Sequence, residues 1–280
     1  MTIIQAIILG IVQGLTEFLP VSSSAHLVLV PYLAGWNLDQ AFAFVFDILV
    51  QLGTLAAVIY YFRNDLMEII KAWSYGIKVH TPLADINSRI GWYLILATIP
   101  AGIAGLLLKD KVEAAFASPV LTAVFLFGTG FLLVVAELFH RQVERAGKAK
   151  SLTSMKVTDA LTVGFFQALS IFPGISRSGA TISGGIFRKL DRQSAARFAF
   201  LMSIPIMLAA GILGVKDLLE VPNLGQMAGL ILIGFILAGV VGYLVIRWFI
   251  AYLRGKSLLP FAAYCAVLAL IVIAVSYIRA

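Results

Sequence analysis

The sequence predicts an all-α polytopic membrane protein, with six full transmembrane helices and two re-entrant helix hairpins arranged as an inverted-topology repeat. Three observations lead to this prediction. The chain of 280 residues is 61% hydrophobic and only 12% charged, whereas soluble domains carry about 25% charged residues. Its apolar segments have the length of membrane helices and not of barrel strands. Similar segments recur in the two halves of the chain.

The first half begins with a hairpin that does not cross the membrane. Residues 3–19 are apolar but short for a full span, and Pro20 helps to break the helix. A second short run extends from His26 to about Leu33, and the chain breaks again at 34–39. Two short helices around a polar turn indicate a re-entrant hairpin. Three full spans follow, separated by polar loops at 63–89 and 109–113: residues 41–62, 90–108 and 118–138.

The second half repeats this pattern after a basic linker at 139–156. Residues 158–172 are again short and apolar, and Pro173 opens a turn rich in glycine and serine. A second re-entrant hairpin is predicted to end at the basic segment 188–192. The remaining full spans are residues 195–214, 226–248 and 259–278. The prediction is one integral membrane domain, 1–280, with repeat 1 at about 1–138 and repeat 2 at about 157–280.

The duplication is visible directly, because a shift of 154 residues aligns the two hairpins. The matched positions share a residue type or a hydroxyl group: Gly10 with Gly164, Gln13 with Gln167, Leu15 with Leu169, Thr16 with Ser170, Phe18 with Phe172, Ser22 with Ser176, and Ser24 with Ser178. Each predicted repeat has an odd number of crossings, so the second must insert upside down relative to the first, as in many transporters. The two hairpins then enter from opposite sides, and their tips meet near the middle of the membrane.

The distribution of charge predicts how the chain is oriented. The net charge of +7, from 21 basic and 14 acidic residues, would suggest a nucleic-acid partner in a soluble protein. Here most Lys and Arg residues fall in loops on one side of the predicted topology, and the positive-inside rule makes that side cytoplasmic. The partner is therefore expected to be the lipid bilayer and no nucleic acid, and both termini are expected outside. The oligomeric state stays open, a homodimer included.

The turn of the first hairpin is unusually polar for its apolar surroundings. An ionised group in the middle of a bilayer costs about 3 kcal/mol on insertion scales, so Glu17 is a functional candidate. Glu17 can hold a divalent cation such as Mg²⁺ or Ca²⁺, with Gln13 four residues earlier as a second oxygen ligand. It can equally act as a base or orient His26. The structural alternative is a helix start capped by Ser22 to Ser24, with Glu17 at an interface.

The hydroxyl groups of the same turn are candidate nucleophiles or phosphate ligands. Ser22, Ser23 and Ser24 stand close to His26, and a serine needs a nearby base to be activated. His26 is the one histidine of the three in an apolar context. Against a catalytic role, a lone histidine in a membrane segment is often only hydrogen-bonded.

The turn of the second hairpin carries the most specific motif in the sequence. Glycines at 174 and 179 let backbone N–H groups approach an anion, and the start of the following helix favours negative charge. Arg177 supplies a planar fork that matches phosphate oxygens. A buried Arg177 needs a counter-charge, which is either Glu17 or a bound phosphate. The hydroxyl groups that accompany it as candidate ligands are those of Ser176, Ser178 and Thr181.

A weaker pair of candidates lies on the first full span. Asp47 and Gln51 are four residues apart and therefore share a helical face. We expect them to line the site, with Asp47 as a further metal ligand and Gln51 as a substrate contact.

Together the two tips supply an anion clamp, a carboxylate, hydroxyls and an imidazole. This set suits phosphoryl transfer, in which positioning and charge stabilisation dominate. The competing class is a transporter or flippase, because inverted repeats with broken helices are typical of transporters and an anion clamp can bind a carried substrate. Release of phosphate distinguishes the two.

In these residues the sequence resembles the undecaprenyl-pyrophosphate phosphatases of the BacA/UppP family, the bacitracin-resistance proteins. The resemblance covers essentially the whole chain and rests on two motifs, QGLTEFLPVSSSAH at 13–26 and PGISRSGATISG at 173–184. It implies a metal-dependent phosphatase of the bacterial inner membrane, with a site that opens outward. The implied substrate is a long-chain polyprenyl pyrophosphate, whose lipid is recycled for cell-wall synthesis.

The resemblance also implies roles for individual residues. Glu17 becomes the essential acid, Ser23 the candidate hydroxyl nucleophile, His26 the family's histidine and Arg177 the phosphate-binding arginine. In the mechanism that we hypothesise from the sequence, His26 moves the proton, and whether Ser23, His26 or water attacks the phosphorus stays open. Ser176 and Thr181 match hydroxyls near the pyrophosphate. The family's first motif has Glu or Gln at the position of Gln13, and glutamine makes Gln13 a weak metal ligand.

Overall fold

The computed structural model describes residues 1–38, 40–218 and 224–279, so Asp39, in the break predicted at 34–39, lies outside the described residues. All longer elements of this part of the chain are α-helices, and residues 152–154 form a single 3₁₀ turn. The helices are α1 (Ile3–Thr16), α2 (Ser23–Ala34), α3 (Gln40–Tyr61), α4 (Arg63–Lys78), α5 (Ile86–Leu107), α6 (Lys109–Phe116), α7 (Pro119–Arg145), α8 (Val157–Leu169), α9 (Arg177–Phe187), α10 (Arg192–Leu218), α11 (Leu224–Tyr252) and α12 (Leu259–Arg279).

The helices confirm a polytopic all-α membrane protein. Five described helices, α5, α7, α10, α11 and α12, are long and apolar enough to cross a membrane. Helices α3 and α4 meet the same criterion only as a pair, bent by 73°, and they give a sixth span if the pair counts as one. The pairs α1–α2 and α8–α9 are short and apolar or glycine-rich, and each pair is interrupted by a turn of polar residues, as the hairpin prediction requires.

Two predicted loops are helical, and those predictions were wrong. Residues 63–78 form α4, in which Ile69 is buried although the helix as a whole is polar. Polarity alone suggested a loop, whereas the spacing of the apolar residues places them on one face of an amphipathic helix. Residues 109–113 likewise lie within α6. The predicted linker at 139–156 begins late, because α7 continues to Arg145.

Helices of one repeat pack against helices of the other in a reciprocal pattern. Helix α1 packs on α11 of the other repeat, α8 packs on α5, and α7 packs on α12. Aligned glycines make both hairpin contacts: a Cβ on Gly10 would lie 2.8 Å from the Gly234 carbonyl oxygen, and one on Gly164 would lie 2.5 Å from that of Ala97. Backbones approach this closely only where a side chain is absent. The arrangement agrees with an inverted-topology repeat.

Two fully buried carboxylates tie the helix ends together beside the basic segments. Glu137 of α7 accepts hydrogen bonds from Arg192 Nη2 at 2.8 Å and Arg141 Nε at 3.0 Å. Asp159 of α8 accepts one from Lys150 Nζ at 2.6 Å and is further bonded to Arg188. A buried carboxylate is tolerated when charged donors satisfy its oxygens, as here. These residues therefore fix the fold away from the two polar tips.

Candidate active site

The tips of the two hairpins touch each other inside the protein. Ser178, in the first turn of α9, donates a hydrogen bond from Oγ to the Leu19 carbonyl oxygen at 2.8 Å. Arg177 forms an ion pair through Nη2 with Oε1 of Glu17. The broken segments of two distant parts of the sequence thus share one polar cluster among apolar helices, where irregular backbone is tolerated because protein surrounds it.

Two equivalent helix starts contribute to this cluster, each through a contact with Glu17. Ser23 is the first residue of α2 and Arg177 is the first residue of α9, and the shift of 154 residues aligns them. The preceding serines cap the two helices alike: Ser22 Oγ accepts from the Ala25 N–H at 3.3 Å and Ser176 Oγ from the Gly179 N–H at 3.0 Å. Helix starts carry partial positive charge, so two of them favour an anion between them.

The carboxylate of Glu17 lies between Ser23 and Arg177. Its Oε2 accepts the Ser23 hydroxyl at 2.5 Å and the Gln13 amide Nε2 at 2.8 Å, while its Oε1 faces the Arg177 guanidinium. Glu17 is only 5% exposed, and both of its oxygens accept from charged or hydroxyl donors, as a buried carboxylate requires. It can therefore take the proton of Ser23.

The turn of the second hairpin is held by a threonine from a neighbouring span. Thr129 Oγ1 on α7 donates to the Gly174 carbonyl oxygen at 2.8 Å and accepts the Ser176 N–H at 3.0 Å. Thr181 Oγ1 donates to the Arg177 carbonyl oxygen at 2.7 Å, so its hydroxyl serves the helix itself. The clamp residue Arg177 thus stands on a turn whose backbone is fixed from outside the hairpin.

Gly174 is expected to tolerate no side chain. Its φ is +103°, and a Cβ there would lie 2.3 Å from the Thr122 carbonyl oxygen and 2.7 Å from Phe125 Cβ. We expect Gly174→Ala to destabilise the protein by about 2–4 kcal/mol, from backbone strain and overpacking together. Thermal unfolding in detergent measures this, with Gly128→Ala as the matched control because its Cβ would meet nothing within 4 Å. Equal melting temperatures for both variants would contradict the expectation.

His26 is close in sequence to Ser23 but directs its ring elsewhere. Its Nδ1 lies 2.7 Å from the Ser22 carbonyl oxygen and its Nε2 lies 2.8 Å from the Tyr264 hydroxyl of α12. The Ser23 hydroxyl is bonded to Glu17 instead. In this arrangement the carboxylate, and not the imidazole, is placed to receive the serine proton.

The other predicted residues lie at different distances from the centre. Ser22 and Ser24 are joined by their hydroxyls at 3.2 Å beside Ser23. Gln51 reaches the cluster through Thr54, whose Oγ1 donates to the Gln51 carbonyl oxygen at 2.8 Å and lies 3.5 Å from Gln13 Nε2. Asp47 lies two helical turns before Thr54 on α3, about 10 Å along the axis. The structure does not join Asp47 to the Glu17 cluster.

Four contributors to the site were not predicted from the sequence. Thr54 and Thr129 are hydroxyl residues within long apolar helices, a pattern that usually reflects only bonding within the helix. The thioether of Met207 accepts from Arg177 Nη2 at 3.2 Å, and Tyr264 meets His26. No local signal identifies these residues, because each reaches the site through packing between distant segments.

A divalent cation is compatible with the donors beside Glu17. In the described part of the chain no three His, Cys, Asp or Glu side chains cluster as a metal site. However, the buried Oε1 of Gln13 has no hydrogen-bond partner, although Nε2 of the same amide donates to Glu17. Mg²⁺ is often held by one carboxylate together with oxygens of a phosphate substrate. Glu17 and Gln13 fit that mode.

Fold and site together define a polytopic membrane protein with an anion-binding centre of the phosphoryl-transfer kind. The model of the family described as bacitracin resistance protein BacA matches residues 6–271. The chain therefore belongs to this family.

Curated relatives agree with the match over nearly the full length. The chain is 43% identical to a protein of Stutzerimonas stutzeri named undecaprenyl-diphosphatase 2, over 96% of either chain. It is 40% identical to a protein of the same name from Streptomyces coelicolor, over 96% of this chain and 93% of the relative. It is 41% identical to an undecaprenyl-diphosphatase of Moorella thermoacetica, over the whole of both.

Proposed function

We propose that this chain is a membrane phosphatase that hydrolyses undecaprenyl pyrophosphate to undecaprenyl phosphate and inorganic phosphate. The observation that carries the proposal is the Glu17 carboxylate held between Ser23 and Arg177 at two converging helix starts. The names of the relatives supply the substrate class. Recycling of this lipid carrier serves cell-wall synthesis, and it gives resistance to bacitracin.

The reaction follows from the positions of these three side chains. Arg177 and the amides at the start of α9 hold the pyrophosphate. Ser23 Oγ attacks the terminal phosphorus while Glu17 takes the hydroxyl proton; the bond to the bridging oxygen breaks, and undecaprenyl phosphate leaves. Water then attacks the phosphorus of the phosphoserine; the Ser23 oxygen leaves and takes its proton back from Glu17, and inorganic phosphate departs with the oxygen and hydrogens of the water. A bound divalent cation supplies additional neutralisation of phosphate charge.

The proposed site opens to the outer side of a bacterial inner membrane. The support is the distribution of charge, since Lys and Arg concentrate in the segments at the opposite end of the spans, among them 141–156 and 188–197. Both chain termini are then outside.

The first test is release of inorganic phosphate from undecaprenyl pyrophosphate by the purified protein in detergent. We expect turnover that EDTA lowers by about 10²-fold, because charge neutralisation by a metal is worth several kcal/mol. Added Mg²⁺ or Ca²⁺ is expected to restore it. Metal-independent turnover would contradict the cation at Glu17 and Gln13, and folded protein without any turnover would contradict the phosphatase.

Transport of the same lipid is the alternative that the inverted arrangement of α1, α5, α8 and α11 supports. A carrier needs the clamp at Arg177 but does not need a serine hydroxyl bonded to a carboxylate. Two results together would favour the carrier. The unmodified protein would release no phosphate, and the Ser23→Ala variant would still bind the lipid substrate.

A further inference from the structure

One residue outside both motifs is attached to the site through His26. Tyr264 lies on α12, and its hydroxyl is 2.8 Å from His26 Nε2. The two rings are nearly parallel, with an interplanar angle of 3° and centroids 5.6 Å apart. The imidazole is only 4% exposed. Both ring nitrogens of a buried histidine therefore have defined partners.

These partners determine which nitrogen carries the proton. The Ser22 carbonyl oxygen, 2.7 Å from Nδ1, can only accept, so Nδ1 is the protonated nitrogen. In the neutral ring Nε2 is then an acceptor, and the Tyr264 hydroxyl donates to it. The lone pair of Nε2 is thereby engaged, which leaves Glu17 as the acceptor for the Ser23 proton.

The carbonyl that His26 holds belongs to a strained residue. Ser22 has φ +68° and ψ +98°, a region that residues with a side chain rarely adopt. Such strain costs about 1–3 kcal/mol and persists only where the surroundings fix it. The aligned Ser176 has an ordinary φ of −65°. Of the two aligned caps, only the one that immediately precedes Ser23 has a positive φ.

We propose that Tyr264 is a positioning residue for phosphoryl transfer. The hydroxyl of Tyr264 orients His26, His26 holds the strained Ser22 carbonyl, and the Ser22 cap directs the Ser23 hydroxyl onto Glu17. This inference rests on the phosphatase function proposed above. It assigns His26 a positioning role in place of the proton transfer hypothesised from the sequence.

The kinetic test is a double-mutant cycle. Tyr264→Phe keeps the ring and removes the donor, and we expect it to lower kcat about 10-fold with KM unchanged, because a displaced nucleophile affects the chemical step and not substrate binding. In a His26→Leu background the same change is expected to have no further effect. If Tyr264→Phe lowered kcat equally in both backgrounds, Tyr264 would not act through His26 and the proposal would be wrong. Full activity of Tyr264→Phe would also contradict it.

Tyr32→Phe is the matched control. The Tyr32 hydroxyl is 2.8 Å from Ser276 Oγ and joins the same two helices, α2 and α12, away from the tips. We expect this variant to keep the unmodified kcat. If Tyr32→Phe lowered kcat as much as Tyr264→Phe, the effect of Tyr264 would be general helix docking and the proposal would fail.

A spectroscopic readout is independent of turnover and of whether His26→Leu folds. In protein labelled with ¹⁵N-histidine, the signals of His26 are distinguished from those of His80 and His140 by a His26→Gln variant. We expect Nδ1 to carry the proton at neutral pH and the Nε2 resonance to move downfield in Tyr264→Phe. A proton on Nε2, or an Nε2 resonance that ignores Tyr264→Phe, would contradict the inference even if phosphatase activity is established.

Discussion

Replacing Arg177 by alanine is expected to lower phosphate release by about 10³-fold, one of the two largest effects that we expect. Removal of one preorganised donor to a developing oxyanion costs about 10²–10³-fold, and catalytic arginines in phosphoryl transfer contribute at least as much. Arg177 is expected to act both as a preorganised donor and as an arginine that binds phosphate oxygens, since it starts α9 and its side chain points into the polar cluster. Arg177→Lys keeps the charge without the planar fork, so an intermediate rate is expected.

A lower rate of phosphate release can come from a slower chemical step or from unfolding of the variant, and the experiment has to distinguish the two. Alanine at this position leaves the buried Glu17 without its cation, which destabilises a protein by about 3–5 kcal/mol. Phosphate release is therefore compared at temperatures below the measured melting point of each variant. Arg254→Ala, at an exposed residue, is the control. If folded Arg177→Ala protein had a turnover within 10-fold of the unmodified protein, Arg177 would not be the group that holds the pyrophosphate.

Glu17→Gln is expected to lower kcat by about 10³-fold while the protein still folds. The amide has the size of the carboxylate but cannot take the Ser23 proton, and general-base catalysis contributes about 10²–10⁴-fold. Glu68→Gln, at an exposed residue on α4, is the matched control.

A second comparison tests whether Glu17 acts through Ser23. If the two residues form one unit, Ser23→Ala and Glu17→Gln each remove the same step, and the double variant is no slower than the worse single variant. Multiplicative losses would show that Glu17 has a role separate from the 2.5 Å contact with Ser23, and the mechanism would need another base.

The hairpins and their meeting were predictable because length and duplication constrain them strongly. A run as short as 3–19 cannot cross, and the alignment of Ser22 with Ser176 makes the two turns equivalent. An odd number of crossings then brings the tips together. Since Glu17 and Arg177 occupy those tips, their pairing was one of the two outcomes that the sequence left open.

Other features depend on contacts that no local pattern encodes. Thr129 fastens the Gly174 turn, and Tyr264 orients His26 across 238 positions of sequence. Helix α4 was missed for a different reason, since its spacing of apolar residues was present in the sequence but the overall polarity of 63–89 obscured it. The predicted roles of Asp47 and Gln51 remain untested, because their side chains form no bond with the Glu17 cluster.

The equivalence of Ser23 and Arg177 has a consequence for the origin of the fold. In a symmetric pair of identical single repeats, both helix starts would carry the same residue. Two serines would lack the cation, and two arginines would lack the nucleophile. Only after duplication could the two copies diverge, so that one start carries a serine and the other an arginine. The proposed chemistry, which needs both residues, is therefore expected to be younger than the duplication, whereas paired helix starts with partial positive charge need no such divergence.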